Sequence, residues 1–203
     1  MSVFQTYFLL GFHHIMSWRA TDHLAFLLAL CAPYVLADWR RVGALATSFT
    51  VGHSLTLALA TLGQLSFPAA LIEALIPVTV MLTALFNLAR AGKPWARHLG
   101  GQGGGREWPG AAYALAAAFG LVHGLGFANY LRALLGAGRR PVVELLAFNV
   151  GVELGQLLVV GLILALALGL LRGLGVAHRD WVLTCSGAAL GIALLLLMQL
   201  ITA

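Results

Sequence analysis

The sequence predicts an all-α fold, a polytopic transmembrane helical bundle of about seven helices that forms a single domain over residues 1–203. Hydrophobic residues make up 61% of the chain and charged residues only 9%, and the mean hydropathy of +0.93 lies well above the range of soluble domains. Most apolar runs reach the roughly 20 residues that a membrane-spanning helix needs. These runs are continuous, whereas a membrane β-barrel would show alternating segments of about ten residues.

The predicted helices follow the apolar runs along the chain. The first run, residues 2–18, is short and has neither the basic start nor the small-residue cleavage site of a secretion signal, so we predict a short or tilted helix there. The other helices are predicted at 23–37, 42–63, 68–90, 111–135, 142–171 and 181–202. We expect the lipid bilayer to surround them.

One long hydrophilic connection, residues 91–110, contains the stretch GGQGGG. It lacks the preceding strand and the Gly-Lys-Ser/Thr ending of a phosphate-binding loop. Glycine-rich sequences of this kind behave as flexible linkers. We therefore predict a flexible glycine-rich loop, which the charge distribution places in the cytoplasm.

Basic residues in the connections predict the orientation of the helices. With seven crossings, eight Lys and Arg residues fall on one side and four on the other. Because cytoplasmic loops carry the excess of basic residues, the amino terminus is predicted in the cytoplasm, in an inner (plasma) membrane. The net charge of +5 then reflects contact with anionic lipid head groups, and no nucleic-acid partner is expected. The sequence carries no signal for the oligomeric state.

Three ionisable side chains fall inside apolar runs: His53, His123 and Glu153. An ionisable group at this depth costs about 2.5 to 3.5 kcal/mol on insertion scales, so each one needs a partner or a function. Any one of them could be a hydrogen-bonding link between helices. Three together favour a shared polar interior.

Polar and small residues accompany these three side chains. Thr50 and Ser54 lie beside His53, and Asn149 and Gln156 share a helix face with Glu153 at i, i+4, i+7 spacing. Small residues allow helices to approach closely in a membrane. The residues predicted to support the site are therefore Thr50, Ser54, Asn149, Gln156, Gly124 and Gly151.

A second polar group, with His14, Asp22 and His23, lies where the chain enters the second apolar run. Asp22 could instead cap the second helix, and either His13 or His14 could be an interfacial residue. Imidazole and carboxylate ligands suit nickel, cobalt and zinc, whereas Cu(I) prefers sulfur ligands. Since Met16 is the only methionine near this group, a divalent ion is expected.

A weak internal repeat relates two segments of the chain. FTVGHSLTL at 49–57 and FNVGVELGQ at 148–156 share the pattern F-x-V-G-x-x-L. His23 precedes the first segment by 26 residues and His123 precedes the second by 25, counted to the phenylalanine. The spacing is compatible with a 3+3 inverted repeat preceded by an extra amino-terminal helix, an arrangement found in secondary transporters.

The chain resembles the second branch of the HupE/UreJ family of small membrane proteins in four blocks: GFHHI with DHLAFLLAL at 11–30, FTVGHSLTLA at 49–58, FGLVHGLGFA at 119–128 and FNVGVELGQ at 148–156. The resemblance implies a multi-pass permease for nickel or cobalt. It also implies that the family's first histidine is His14 and that its Asp-His pair is Asp22 and His23. The family usually places five residues between them, whereas seven intervene here, so His13 also stays a candidate.

Residues and resemblance together predict a permease whose substrate is nickel or cobalt, with zinc as a further candidate metal ion. Because protons compete with a metal ion for imidazole and carboxylate, proton-linked release is expected. An intramembrane zinc-dependent hydrolase using the same cluster is the main alternative. A non-catalytic membrane partner is the third. The predicted metal ligands are His14, Asp22, His23, His53, His123 and Glu153.

Overall fold

The computed structural model describes residues 1–18, 20–91, 109–135 and 141–202, and within these ranges seven α-helices form a bundle without β-strands. The predicted helical bundle is confirmed. Of the predicted loop 91–110, residues 92–108 lie outside the described part of the chain. The helices are α1 (Val3–Met16), α2 (Thr21–Cys31), α3 (Trp39–Thr61), α4 (Ala69–Arg90), α5 (Pro109–Leu135), α6 (Val142–Leu168) and α7 (His178–Thr202).

The helices differ in their capacity to cross a membrane. Helices α3 to α7 are each long and apolar enough to do so, which makes the chain a multi-pass membrane protein. The 14 residues of α1 and the 11 residues of α2 give only about 21 Å and about 16 Å of helix, against a hydrocarbon core of about 30 Å. Neither α1 nor α2 can span alone.

Helices α1 and α2 together form one interrupted span that follows α6. The backbone of α1 lies against α6 at two levels, with Phe8 against Gly151 and Phe12 against Gly155, so the two helices run in the same direction. Farther along α6, Ala167 packs in one apolar cluster with Ala32, which caps the end of α2. Laid end to end, α1 and α2 provide about 37 Å of helix, interrupted at residues 17–20. The predicted extra amino-terminal helix is thus the first half of the first span.

With α1 and α2 counted as one interrupted span, the described helices form six spans and two distinct faces. Helices α2, α4 and α6 end where α7 begins, since Ala32, Ala91, Ala167 and Trp181 belong to one apolar cluster. We call this the arginine face, because the helix ends there carry Arg40, Arg41, Arg90, Arg172 and Arg179. The opposite face, where α1 begins and α7 ends, is the terminal face.

Helices α3 and α5 run parallel with their backbones in direct contact. The carbonyl oxygen of Phe49 lies where a Cβ on Gly120 would stand, and the carbonyl oxygen of Ala117 occupies the same place at Gly52. Any side chain at either glycine would force the two helices apart. This contact brings the histidine-bearing segments of α3 and α5 together.

Helices α1 and α6 repeat the same contact. The carbonyl oxygen of Phe148 lies against Gly11, and the carbonyl oxygen of Phe8 lies against Gly151. The F-x-V-G pattern of the internal repeat thus makes the same close packing twice, as an inverted 3+3 repeat requires. Within the repeat, α1 is therefore equivalent to the first half of α5. His14, rather than His23, is then the equivalent of His123.

Candidate metal site

Four histidines converge where the first span is interrupted. His14 lies near the end of α1 and His23 near the start of α2, and their ring centroids are 4.9 Å apart. His53 of α3 and His123 of α5 lie 5.8 Å and 5.0 Å from the ring of His23. We call these four residues the histidine cluster; its centre is His23, at middle depth in the bundle.

The imidazole nitrogens of the cluster are buried and largely without partners. His23, His53 and His123 are 4%, 0% and 1% exposed. Among the described residues, no hydrogen bond reaches either nitrogen of His53, Nε2 of His14 or His23, or Nδ1 of His123. A buried polar atom without a partner costs about 1 to 3 kcal/mol, and such atoms are rare in folded proteins. A cation that takes up several imidazole lone pairs would remove this cost.

Asp22 adds a carboxylate to the cluster. Its Oδ1 atom lies 3.1 Å from Nδ1 of His23. The alternative role as a helix cap is not what the structure shows, because the residue at the N-cap of α2 is Ala20 and no side chain caps that helix. Asp22, His23 and His123 each offer one ligand atom, and these atoms lie within 4.8 Å of one another. A tetrahedral ion with bonds of about 2.1 Å holds its ligands about 3.4 Å apart, so small side-chain rotations would close the site.

Thr79 of α4 makes a contact that favours one tautomer of His123. The Thr79 hydroxyl donates its proton to the carbonyl oxygen of Ile76 at 2.7 Å, which leaves its oxygen as an acceptor. Nε2 of His123 lies 3.0 Å from that oxygen, so this arrangement favours the tautomer with the proton on Nε2. The lone pair of His123 is then on Nδ1, the buried atom without a partner. This second contact is the kind that orients histidine ligands in metal sites.

A cavity of about 520 Å³ connects the cluster with the terminal face. Glu73, near the start of α4, and Tyr130, near the end of α5, line its outer part, while His23 and His123 line its inner part. His13 also lines the cavity, but its side chain is exposed and the ring that contacts His23 is that of His14. An ion arriving at the terminal face would therefore reach the cluster past the side chains of Glu73 and Tyr130.

Glu153 lies outside the histidine cluster, in a contact between α6 and α3. Its Oε1 atom accepts a hydrogen bond from Thr47 of α3 at 2.6 Å, and among the described residues no contact joins it to the histidine cluster. One turn away, Gln156 accepts a hydrogen bond from Thr50 at 2.8 Å. Glu153 Oε2 is buried without a partner. The structure thus brings together five of the six predicted ligands and places Glu153 in a polar link between α3 and α6.

The other residues predicted to support the site lie near the histidine cluster or on the helix that carries Glu153. A Cβ on Gly124 would collide with the carbonyl oxygen of His53, so this glycine lets α5 approach the cluster. Gly151 has the equivalent role between α6 and α1. Asn149 is half-buried on α6, on the side of the Glu153 contact. Ser54 is half-buried on α3, beside His53.

Two residues beside the histidine cluster were not predicted from the sequence. Thr79 carried a usable signal, because it is a polar residue in the middle of the apolar run that follows Pro77. Phe127 carried none, since it is one aromatic residue in an apolar helix, yet its ring centroid lies only 4.2 Å from that of His14. Phe127 packs the His14 ring towards the cluster.

The comparisons with known proteins agree with the resemblance. The family model described as HupE / UreJ protein matches residues 1–201. Neither a curated protein nor a solved structure matches the chain significantly. The family match includes all of the described helices except the last residue of α7, and it includes both halves of the interrupted span.

Proposed function

Because the chain belongs to the HupE/UreJ protein family, we propose that it carries a divalent transition-metal ion, nickel or cobalt, across the inner (plasma) membrane. The observation that carries the proposal is the histidine cluster, whose buried ring nitrogens lack hydrogen-bond partners. Zinc has the same preference for imidazole and carboxylate ligands and is a further candidate substrate.

The position of the cluster supports transport. Ion sites of secondary transporters lie near the bilayer midplane at interrupted helices, where the chain can bend and where polar groups line a cavity. Here the interruption between α1 and α2 places Asp22 and His23 at middle depth, at the inner end of a cavity. The carboxylate charge of Asp22 offsets part of the charge of a dication in this low-dielectric setting.

The arginine face is proposed to be cytoplasmic, because the basic residues that the sequence analysis assigned to the cytoplasm belong to helix ends and connections on that face. Two separate crossings for α1 and α2, as the hydropathy predicted, would put the amino terminus in the cytoplasm. Since they form one span, we propose that both termini are outside the cytoplasm. The cavity that reaches the histidine cluster then opens outside, as uptake requires.

Reporter fusions test this topology. We expect alkaline phosphatase to be active when fused to either terminus, and a fluorescent protein inserted between α4 and α5 to fluoresce, because that connection leaves from the arginine face. Periplasmic activity for only one of the two termini would contradict a single interrupted first span.

Metal uptake tests the proposed function. Proteoliposomes containing the wild-type protein are expected to accumulate radioactive nickel or cobalt, and Asp22→Asn is expected to lower the initial rate by at least about tenfold, because it removes the negative charge from the site. Asp180→Asn, which changes an exposed carboxylate at the start of α7, is the matched control and should keep the wild-type rate. Equal rates for the two variants would exclude Asp22 from the ion's route.

The zinc-dependent hydrolase remains the second candidate function, favoured by one observation. Asp22, His23 and His123 form a set of three ligands, which is the usual number in catalytic zinc sites with an open position. A hydrolase would bind one zinc ion stoichiometrically and move no metal across a membrane. The proteoliposome assay therefore separates the two functions.

A further inference from the structure

A second cavity lies on the opposite side of the histidine cluster. Its volume is about 390 Å³, and it extends between α2, α3, α4 and α5 to the arginine face. Arg41 and Arg90 line it, with their guanidinium groups over the rings of Tyr34 and Phe86. Phe26 and Phe119 also line it, at the level of the histidine cluster. The protein thus has one cavity on each side of the proposed ion site.

A single layer of aromatic side chains separates this second cavity from the histidine cluster. The rings of Phe26 and Phe49 stack with centroids 4.7 Å apart, and Phe119 meets Phe26 edge-on at 6.1 Å. On its other side, the layer touches the cluster, with Phe26 lying 5.6 Å and Phe49 5.0 Å from the ring of His123. Phe26 and Phe49 are 1% and 0% exposed, so the layer is closed.

We infer that the second cavity is the cytoplasmic half of the ion's route and that the aromatic layer of Phe26, Phe49 and Phe119 is its gate. This inference rests on the proposed function, since it assigns a route to the same site. A packed apolar layer stops a hydrated ion, as hydrophobic constrictions do in channels. Transport then requires the layer to open.

The short helix α2 links the gate to the ion site. Phe26 follows His23 by three residues, so the two side chains lie on one face of α2. Helix α2 begins at the interruption of the first span and ends two residues before Pro33, and so it can move as a short segment. A shift of α2 that closes His23 around an ion would carry Phe26 with it. Ligand binding and gate opening would be coupled through one helix.

The arginines set the electrostatic barrier at the arginine-face end of the route. A dication in the second cavity approaches two guanidinium groups, which repel it, whether it enters from the arginine face or leaves the histidine cluster. The repulsion therefore slows passage in both directions and gives the route no direction of its own.

Thiol labelling tests the gate without relying on transport. The buried Cys31 and Cys185 are first replaced by alanine. Ile76→Cys then introduces a single cysteine into the cavity that opens at the terminal face. With the gate intact, a membrane-impermeant thiol reagent should label this cysteine from the terminal face only. Phe26→Ala should raise labelling from the arginine face at least tenfold, and so should the second variant, Phe119→Ala.

Two controls complete the labelling test. Phe26→Leu keeps an apolar side chain in the layer, and Phe67→Ala removes an exposed ring near the terminal face; both should leave labelling one-sided. Labelling from both sides with the layer intact, or one-sided labelling in both alanine variants, would overturn the gate. Because no metal is used, a failure of metal transport would refute the proposed function and would leave the labelling result to decide the gate.

Discussion

Replacing His123 with alanine is expected to lower the affinity for nickel by more than about 100-fold, because it removes a proposed ligand with a buried, partner-free nitrogen. Changes to groups that only orient a ligand already cost about 10- to 100-fold in metal affinity, so loss of a ligand should cost more. Titration calorimetry on the detergent-solubilised protein would measure the affinity. His178→Ala, at the arginine face, is the matched control and should bind nickel as the wild type does.

Two variants of Thr79 show whether the effect depends on the tautomer of His123. Thr79→Val keeps the shape of the side chain and removes the acceptor for the Nε2 proton, so affinity should fall about 10- to 100-fold. Thr79→Ser keeps the hydroxyl and should restore binding to near the wild-type value. If valine and serine gave the same affinity, Thr79 would have only a packing role, and a different nitrogen of His123 would have to be considered.

Most helix positions could be predicted from the sequence because hydropathy sets them. The exception is the run predicted at 23–37, where the helix covers Thr21–Cys31 and ends two residues before Pro33. The runs predicted at 68–90 and 142–171 became Ala69–Arg90 and Val142–Leu168, with differences of at most a few residues. The direction of a short helix has no such signal. Hydropathy could not show that α1 and α2 run the same way, since that depends on the contact of Phe8 with α6 and on the packing of Ala32 with Ala167.

The site was predictable as a set of residue types and less so as a geometry. Buried histidines in apolar runs are costly, which pointed to His53 and His123, and the structure brings both to His23. The same reasoning pointed to Glu153, which is equally costly but is stabilised by Thr47. Cost of burial identifies residues that need a partner, and only the fold shows which partner each one has.

The internal repeat explains why both histidine-bearing helix pairs pack so closely. Phe49 and Gly52 in α3, like Phe148 and Gly151 in α6, hold a parallel neighbour at backbone contact. One pair positions the helix of His123, and the other positions the helix of His14. These equivalent contacts bring His14 and His123 to either side of His23 at the proposed ion site.

Gly52→Ala is expected to lower the free energy of unfolding by about 1 to 3 kcal/mol, because the new Cβ would collide with the carbonyl oxygen of Ala117. This oxygen belongs to the backbone and cannot move aside unless α3 separates from α5. Gly161→Ala is the matched control: this glycine lies inside α6 with no neighbouring atom within 4 Å of the place where a Cβ would stand, so alanine should stabilise the helix by about 0.5 to 1 kcal/mol. Denaturant unfolding in detergent micelles would measure both. Gly151→Ala should resemble Gly52→Ala, since it makes the equivalent contact. Similar stabilities for all three variants would show that the helices are not in backbone contact and would remove the physical basis for bringing the histidines together.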